Sequence, residues 1–596
     1  MDIDFQKRIN DAIDIARQLS LQGFDYEQMD PVAKMMLVAL VNETQKIHDY
    51  VDGASQRIAD RFCTHFIPRQ KVEAMPALCL LHPQFKDLQM STLTTVGSGA
   101  SFLYKNEGIK GPLSYIPVFN TALLPHSDLY LLNAHRLRHG DNVIDISMEH
   151  PNLLWVGIKT QAELDSMKGL SIFLKGMNGI MPVHIYSGSN MQEIDFSSML
   201  EMENIEMAEP FDAQQASGTF FSLIENWKDC LLNMQDGAML YITDDTQDRD
   251  RFKPRQYPKQ FQQWLESEVL DYFDASTIWL LFEFPDGCRV PDDVDVTLNV
   301  LPVTNISIES LMLTLNQPIA KLHKNDDSYF LRILETSTAN NRQGFNMTGD
   351  DIIIRDFDAQ CYNNGTLYRD VRNLYNRFID DYYAFIEYNG IKDGEVLKTL
   401  RETINKLGKS VGQQNDKFKF DSGTYVMKNM AQFPPTTTTR VSYITTMGRI
   451  GNLPRTGETM DCRGVTGVEQ KAQVLVSAMG GADKASADER YELLRYYALT
   501  NDRLYTRMDI DAFLRKELLA EYGKEEFRRI FVKITVEGSS GGNNLQRGLY
   551  VTIEFKDRKN YQHAIDMAYD KLMQQRIRNK SCIAMPINVS LKNLEE

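Results

Sequence analysis

Cysteine is scarce. The chain has seven in 596 residues, at Cys63, Cys79, Cys230, Cys288, Cys361, Cys462 and Cys582, an odd number with wide spacing and no Cys-x-x-Cys pair. This pattern argues against a disulfide framework and predicts reduced thiols. Long apolar runs are also missing, since none approaches the roughly 18 residues that a membrane span needs. Residues 1–20 are acidic and amphipathic, where a signal peptide would be basic and then apolar. The expectation is a cytoplasmic chain with no direct membrane span, so triplets such as Asn305-Ile306-Ser307 are chance matches to a glycosylation signal. Basic charge is in deficit as well: 65 Lys and Arg stand against 81 Asp and Glu, a net charge of −16. That balance disfavours binding to phosphate backbones or anionic lipid, and no nucleic-acid partner is expected.

Catalytic patterns are equally sparse. His135 and His139 lie four apart but without the Glu of a His-Glu-x-x-His zinc site, in a strand-and-turn stretch where helical facing does not apply; they read as solvent-exposed side chains. Gly97-Ser98-Gly99 and the glycines of 538–542 are not followed by Gly-Lys-Ser/Thr, so hairpin loops are expected rather than phosphate cradles. There is no Gly-x-Ser-x-Gly elbow. The carboxylate pairs Asp244-Asp245 and Asp380-Asp381 are adjacent rather than set across a cleft, and a solvated acidic face is the plain reading. Aromatic clusters at Tyr382, Tyr383, Phe385 and Tyr388, and at Tyr491, Tyr496, Tyr497 and Tyr505, fall on predicted helices and suit packing better than stacking on a ligand. No catalytic, cofactor or metal residues are assigned, and no cofactor is expected.

What the sequence does contain is an ordinary globular composition, 43% hydrophobic and 24% charged, in a chain long enough for about four domains. The expected class is multidomain α+β. Residues 1–70 form an N-terminal helical arm. Short alternating runs over 71–200 predict a β-rich domain, and 201–365 a second one with helical segments, its first stretch, 201–216, being a polar loop or linker. Residues 366–433 read as a helical insertion and connector, and 434–504 as a connector rich in Gly, Pro and Thr followed by a helix. Residues 505–596 show an α-β-β-α-β order compatible with a ferredoxin-like α+β module.

The arm is the most distinctive stretch. Asp30 suits an N-cap and Pro31 a first helical turn, and Pro68 ends the pattern. Between them Met36, Leu40, Ile47, Val51, Ala54, Ile58 and Phe62 recur on one helical face, with charges opposite, over about 50 Å if the helix is continuous. Asp52-Gly53 is a place where it would divide in two. Met36, Leu40, Ile47, Val51, Ile58 and Phe62 are the candidate partner-binding seam, although the same periodicity serves a hairpin packed on its own domain.

Three segments together resemble the TssF family of type VI secretion baseplate proteins, in a divergent form related to contractile-phage wedge proteins. The first runs from Asp30-Pro31 through Asp52 to Phe66-Ile67-Pro68 and Met75-Pro76. The second is Leu298-Asn299-Val300-Leu301-Pro302-Val303-Thr304-Asn305-Ile306, followed by Pro318. The third is Leu499-Thr500-Asn501-Asp502-Arg503-Leu504-Tyr505-Thr506-Arg507-Met508-Asp509-Ile510. The chain departs from the family pattern at Val51-Asp52 and Ile67-Pro68-Arg69. The resemblance implies a non-enzymatic wedge subunit, two copies beside one TssG, contacting TssK, TssE and the VgrG spike hub, recruited to the cytoplasmic face of the inner membrane. The alternative from the residues alone is a cytoplasmic glycan-binding or glycan-processing β-protein using Trp155 or Trp264.

Overall fold

The apolar runs that begin at Leu78 are realised as strands because nearly every one of them is covered on one or both faces. The structure, a computed structural model, describes most of 69–357, 423–428 and 438–594, with isolated positions among 30–67 and 399–406. The chain divides into two compact units, one of 69–485 and another containing 486–596.

In the larger unit, six antiparallel strands close a barrel in the order Leu78–Phe85, Leu301–Thr304, Leu113–Pro117, Ser101–Tyr104, Thr459–Arg463, Val468–Met479. Its interior holds Leu81, Phe102, Tyr115, Leu301, Met460 and Val474, and the Tyr115 hydroxyl donates to the Gly451 carbonyl at 2.6 Å. Beside it a four-stranded sheet (Phe196–Ser198, Gly237–Ile242, Ser171–Lys175, Asp295–Leu298) shares a core with a seven-stranded sheet centred on Leu153–Lys159 and Thr277–Glu283. Both faces of the central strands are buried. Leu154, Val156 and Ile158 enter the core between the sheets, while Trp155 and Trp279 pack on Phe261 and Phe273 on the other side. This is why 153–159 and 277–283 read as unbroken apolar runs rather than alternating ones. Two three-stranded sheets (Ser307–Leu313, Thr439–Thr446, Tyr329–Thr338; and Ile319–Lys321, Gly423–Lys428, Ile352–Phe357) bury Leu313, Leu322, Val426, Val441 and Tyr443 between them.

The helix Gly218–Leu232 presents Leu223, Trp227 and Cys230 to a core that also takes Leu78 and Leu80 from the barrel and Phe173 and Tyr241 from the four-stranded sheet. Barrel and sandwich are therefore joined by shared burial. The barrel also draws strands from 71–200, 201–365 and 434–504 alike, so long-range pairing rather than chain order sets its membership.

Several local expectations are corrected. Residues 439–479, read as connector, contain three strands and a 3-10 turn at Gly448–Asn452; Thr-rich text such as Thr439–Thr446 favours extended backbone even without apolar alternation. The stretch read as a loop at 201–216 buries Met202, Ala208 and Phe211 in its described part, with Phe211 edge-on to Trp227. The single helix expected over 261–270 is two short helices, Phe261–Trp264 and Ser267–Leu270, because Leu265 is extended. The predicted helices 368–388 and 395–406 lie outside the described residues, apart from helical positions at Thr399, Glu402, Thr403 and Lys406.

The second unit contains the helical hairpin Ala487–Thr500 and Arg507–Phe527, strands Ile530–Gly541 and Asn544–Phe555, helices Arg558–Asp566 and Tyr569–Lys580, and strand Ile587–Asn593. The first two strands are antiparallel and the third runs parallel to the second. Among the described residues this sheet has three strands, without the leading strand of a β-α-β-β-α-β arrangement. The glycines of 538–541 belong to the hairpin's first strand, and the helix expected over 561–575 is divided, with Ala568 left-handed at φ 46°.

Candidate functional site

Two of the three segments that carry the resemblance can be built from their atoms. In the first, strand Asp295–Leu298 leaves the four-stranded sheet and strand Leu301–Thr304 enters the barrel two residues later. The reversal needs a left-handed residue, and Asn299 supplies it at φ 60°. Its buried amide replaces a backbone partner, accepting from the Leu124 N–H at 2.7 Å and donating to the Leu124 carbonyl at 2.8 Å. Farther on, Asn305 Oδ1 accepts from the Met447 N–H at 3.0 Å, and Asn305 Nδ2 donates to the Ser114 carbonyl at 3.0 Å. Four parts of the larger unit meet at this one segment.

The second is the turn of the helical hairpin. Ser486 and Glu489 cap the first helix and Thr506 and Asp509 the second, each pair as a capping box. Asn501 and Asp502 are both left-handed, at φ 47° and 62°, which two short side chains able to bond locally tolerate best. The Asp502 carboxylate is then held by two groups through three hydrogen bonds: the Tyr496 hydroxyl donates at 2.8 Å, and Lys580 Nζ donates to both carboxylate oxygens at 2.7 Å. Burial pushes the Asp502 carboxyl up, but Lys580 and Tyr496 outweigh it and hold it below the usual carboxylate range. Tyr496 is itself covered by Lys516, whose ammonium lies 4.5 Å from the ring centre. These residues hold a joint. They offer no group free for acid, base or nucleophilic chemistry.

Of the helical seam, Met36 and Phe62 are described; both are helical, and 70% and 47% exposed. Leu40, Ile47, Val51 and Ile58 lie outside the described residues. Asp30 Oδ1 is 3.5 Å from the Val32 N–H, at the long limit for an N-cap bond.

The remaining chemistry-bearing residues are placed as follows. A half-open cleft of about 570 Å³ is lined by Gly97, Asn120, Lys168, Glu206, Tyr241 and Asp245 among others. Lys168 pairs there with Asp245, and the Asn120 amide donates to Glu206. Asp244, expected on a solvated face, is instead buried and paired with the equally buried Arg251 at 2.7 Å. Position 244 follows strand Gly237–Ile242, and nothing local in the sequence marks Arg251 as its partner. His139 is half-buried, stacked on Tyr130 at 4.1 Å and paired with Asp128, rather than solvent-exposed. Trp155 is fully buried and Trp264 packs against it, so neither ring of the proposed glycan site is laid out as an open stacking platform. Asp380, Asp381 and the aromatic cluster of 382–388 lie outside the described residues. Among the described residues there is no group of three or more potential metal ligands, and no helix is long and apolar enough to cross a membrane.

No protein-family model matches the chain, and no curated protein does. Two solved structures align with it over most of its length. One is a chain of the type VI secretion system TssK-TssF-TssG baseplate subcomplex, at 11% identity and a TM-score of 0.40, covering 94% of this chain and 96% of that one. The other is a chain of the baseplate complex from the type VI secretion system, at 11% identity and a TM-score of 0.32, covering 97% and 93%. Both of these solved structures are baseplate complexes of type VI secretion.

Proposed function

We propose that the chain is a structural subunit of the type VI secretion baseplate wedge, of the TssF kind and not an enzyme. In this reading two copies stand beside one TssG and contact TssK, TssE and the VgrG spike hub at the cytoplasmic face of the inner membrane. The wedge holds the first ring of the contractile sheath extended and releases it when its interfaces rearrange, a bistable contact rather than bond-making chemistry. The observation that carries the reading is the work done by the resembling segments: 298–306 and 499–510 are joints in this fold, built from left-handed turns, caps and buried amides. A mechanical part depends on such joints.

The seam of Met36, Leu40, Ile47, Val51, Ile58 and Phe62 is assigned to TssG and the second copy. Affinity purification of the full chain from its native cells, followed by cross-linking mass spectrometry, tests the proposal. TssG and TssK are expected in the eluate, with cross-links from 30–68. A chain that elutes alone, or that turns over sugars, nucleotides or peptides at ordinary enzyme rates, would overturn it.

A further inference from the structure

Strand Tyr329–Thr338 buries a charge that has no counter-charge beside it. Its register slips between Phe330 and Arg332, so that Leu331 and Arg332 together oppose Ile444. Such a bulge re-aims a side chain. Plain alternation would send Arg332 to the side of Phe330 and Tyr443; the slip turns it toward the core that holds Leu331, Ile444, Phe211 and Trp227. There it is 8% exposed. Its Nη2 donates to the Pro210 carbonyl at 2.7 Å, and its Nε is sealed from solvent with no hydrogen-bond partner. Among the described residues no carboxylate lies within ion-pair distance of it, and Glu335 on the same strand and Glu209 beside Pro210 are both exposed. The comparably buried Arg251 and Lys516 differ, each having a carboxylate, Asp244 at 2.7 Å and Glu517 at 2.8 Å. Burial lowers the proton affinity of the Arg332 guanidinium, yet an arginine stays protonated at neutral pH. A desolvated cation left in this state is destabilising, and an anion brought to it would relieve that cost.

We propose that Arg332 is a binding site for a carboxylate of another molecule, received by the guanidinium donors that Pro210 leaves unused. The planar fork matches a carboxylate's two oxygens, and one cation among Leu331, Ile444 and Phe211 suits a single negative charge better than a phosphate dianion. Among the described residues the strand lies at the edge of its sheet, so no further strand covers that side. The site is separate from the arm's seam and stands whether or not the baseplate reading does.

The full chain is melted in sodium chloride and in sodium acetate at equal ionic strength. Acetate should raise the melting temperature by about 2 °C, because it binds the folded state alone. Arg332→Met should abolish that rise, whereas a general salt effect would persist in the variant. Saturation-transfer NMR of the acetate methyl group reads the same binding in the unmodified chain, and Arg332→Lys, which keeps the charge but not the fork, should weaken it about tenfold. The source of the carboxylate is read with a photo-cross-linking phenylalanine analogue in place of Glu335, which is exposed on the same side of the strand, in chains made in the native cells. Capture of an Asp- or Glu-bearing segment of another polypeptide, lost in Arg332→Met, assigns a protein side chain; acetate binding without such capture assigns a small carboxylate. A chain indifferent to acetate, a rise that survives Arg332→Met, or capture of a segment of this same chain would each overturn the proposal.

Discussion

Removing one partner of the Asp244–Arg251 pair strands the other charge in a buried setting. Arg251→Met should cost about 3–5 kcal/mol in urea unfolding, and Asp244→Leu combined with Arg251→Met should cost less than that single change. Burial pushes the Asp244 carboxyl up, but the Thr246 hydrogen bonds and Arg251 hold it below its ordinary value. Its stabilising contribution is thus present above the unfolded carboxylate pKa and lost as pH falls through the folded one, a dependence that Arg251→Met should weaken. Histidines 82 and 126 act at higher pH. Burial and, for His82, the neighbouring His126 lower their affinity for protons, against the opposing effects of the Leu298 backbone at His82 and of the Leu124 backbone and Asp128 at His126. The unfolded chain then binds more protons just below the ordinary imidazole pKa of about 6.5, so stability is full above that value and declines as pH falls below it. Melting temperatures measured from pH 7.5 to pH 5 should fall less for His82→Gln/His126→Asn than for the parent. Equal slopes would remove these two residues from the account.

Among elements, the arm gives the sharpest test of the seam. Ile47→Asp puts a carboxylate midway along the apolar face, at a cost of several kcal/mol wherever that face is covered. With TssG and a second copy as the cover, the isolated variant should melt like the parent and fail to co-purify with TssG. A destabilised variant that still assembles would sink the seam as an interface. How far such elements can be read from sequence depends on where their partners lie. Runs such as Leu153–Lys159 are legible because each residue's own burial is apolar. Strand Val468–Met479 is not, because Glu469, Gln470 and Lys471 are exposed and its pairing with Leu78–Phe85 comes from the other end of the unit. The break at Asn299 is hidden for a different reason: left-handed backbone leaves no trace in periodicity. At the hairpin turn, Asn501-Asp502 advertises a turn and Thr506 a cap, whereas the role of Asp502 depends on Lys580, 78 residues onward.

At the scale of the molecule, the C-terminal unit should fold by itself when excised with its first helix. Tyr496 packs on Phe513 and Leu504 forms a parallel bridge to Ser581 at the end of helix Tyr569–Lys580, so a fragment of 486–596 should unfold cooperatively in urea. A fragment of 505–596 exposes Ile510 and Phe513 and should be less stable; a non-cooperative 486–596 would refute the boundary. Deleting 587–593 from the longer fragment should abolish the transition, since it removes one of three strands. The larger unit has a different constraint. Strand Leu78–Phe85 pairs with Val468–Met479, about 400 residues later, which at 5–20 residues per second is roughly 20–80 s of translation. Throughout that interval the nascent chain carries Leu78, Leu80 and their neighbours with one edge unmatched, open to pairing with any other extended segment nearby. Production of the subunit is thus governed by what shields that edge on the ribosome, and chaperone supply during synthesis, more than the stability of the finished barrel, should set how much of it a cell can make.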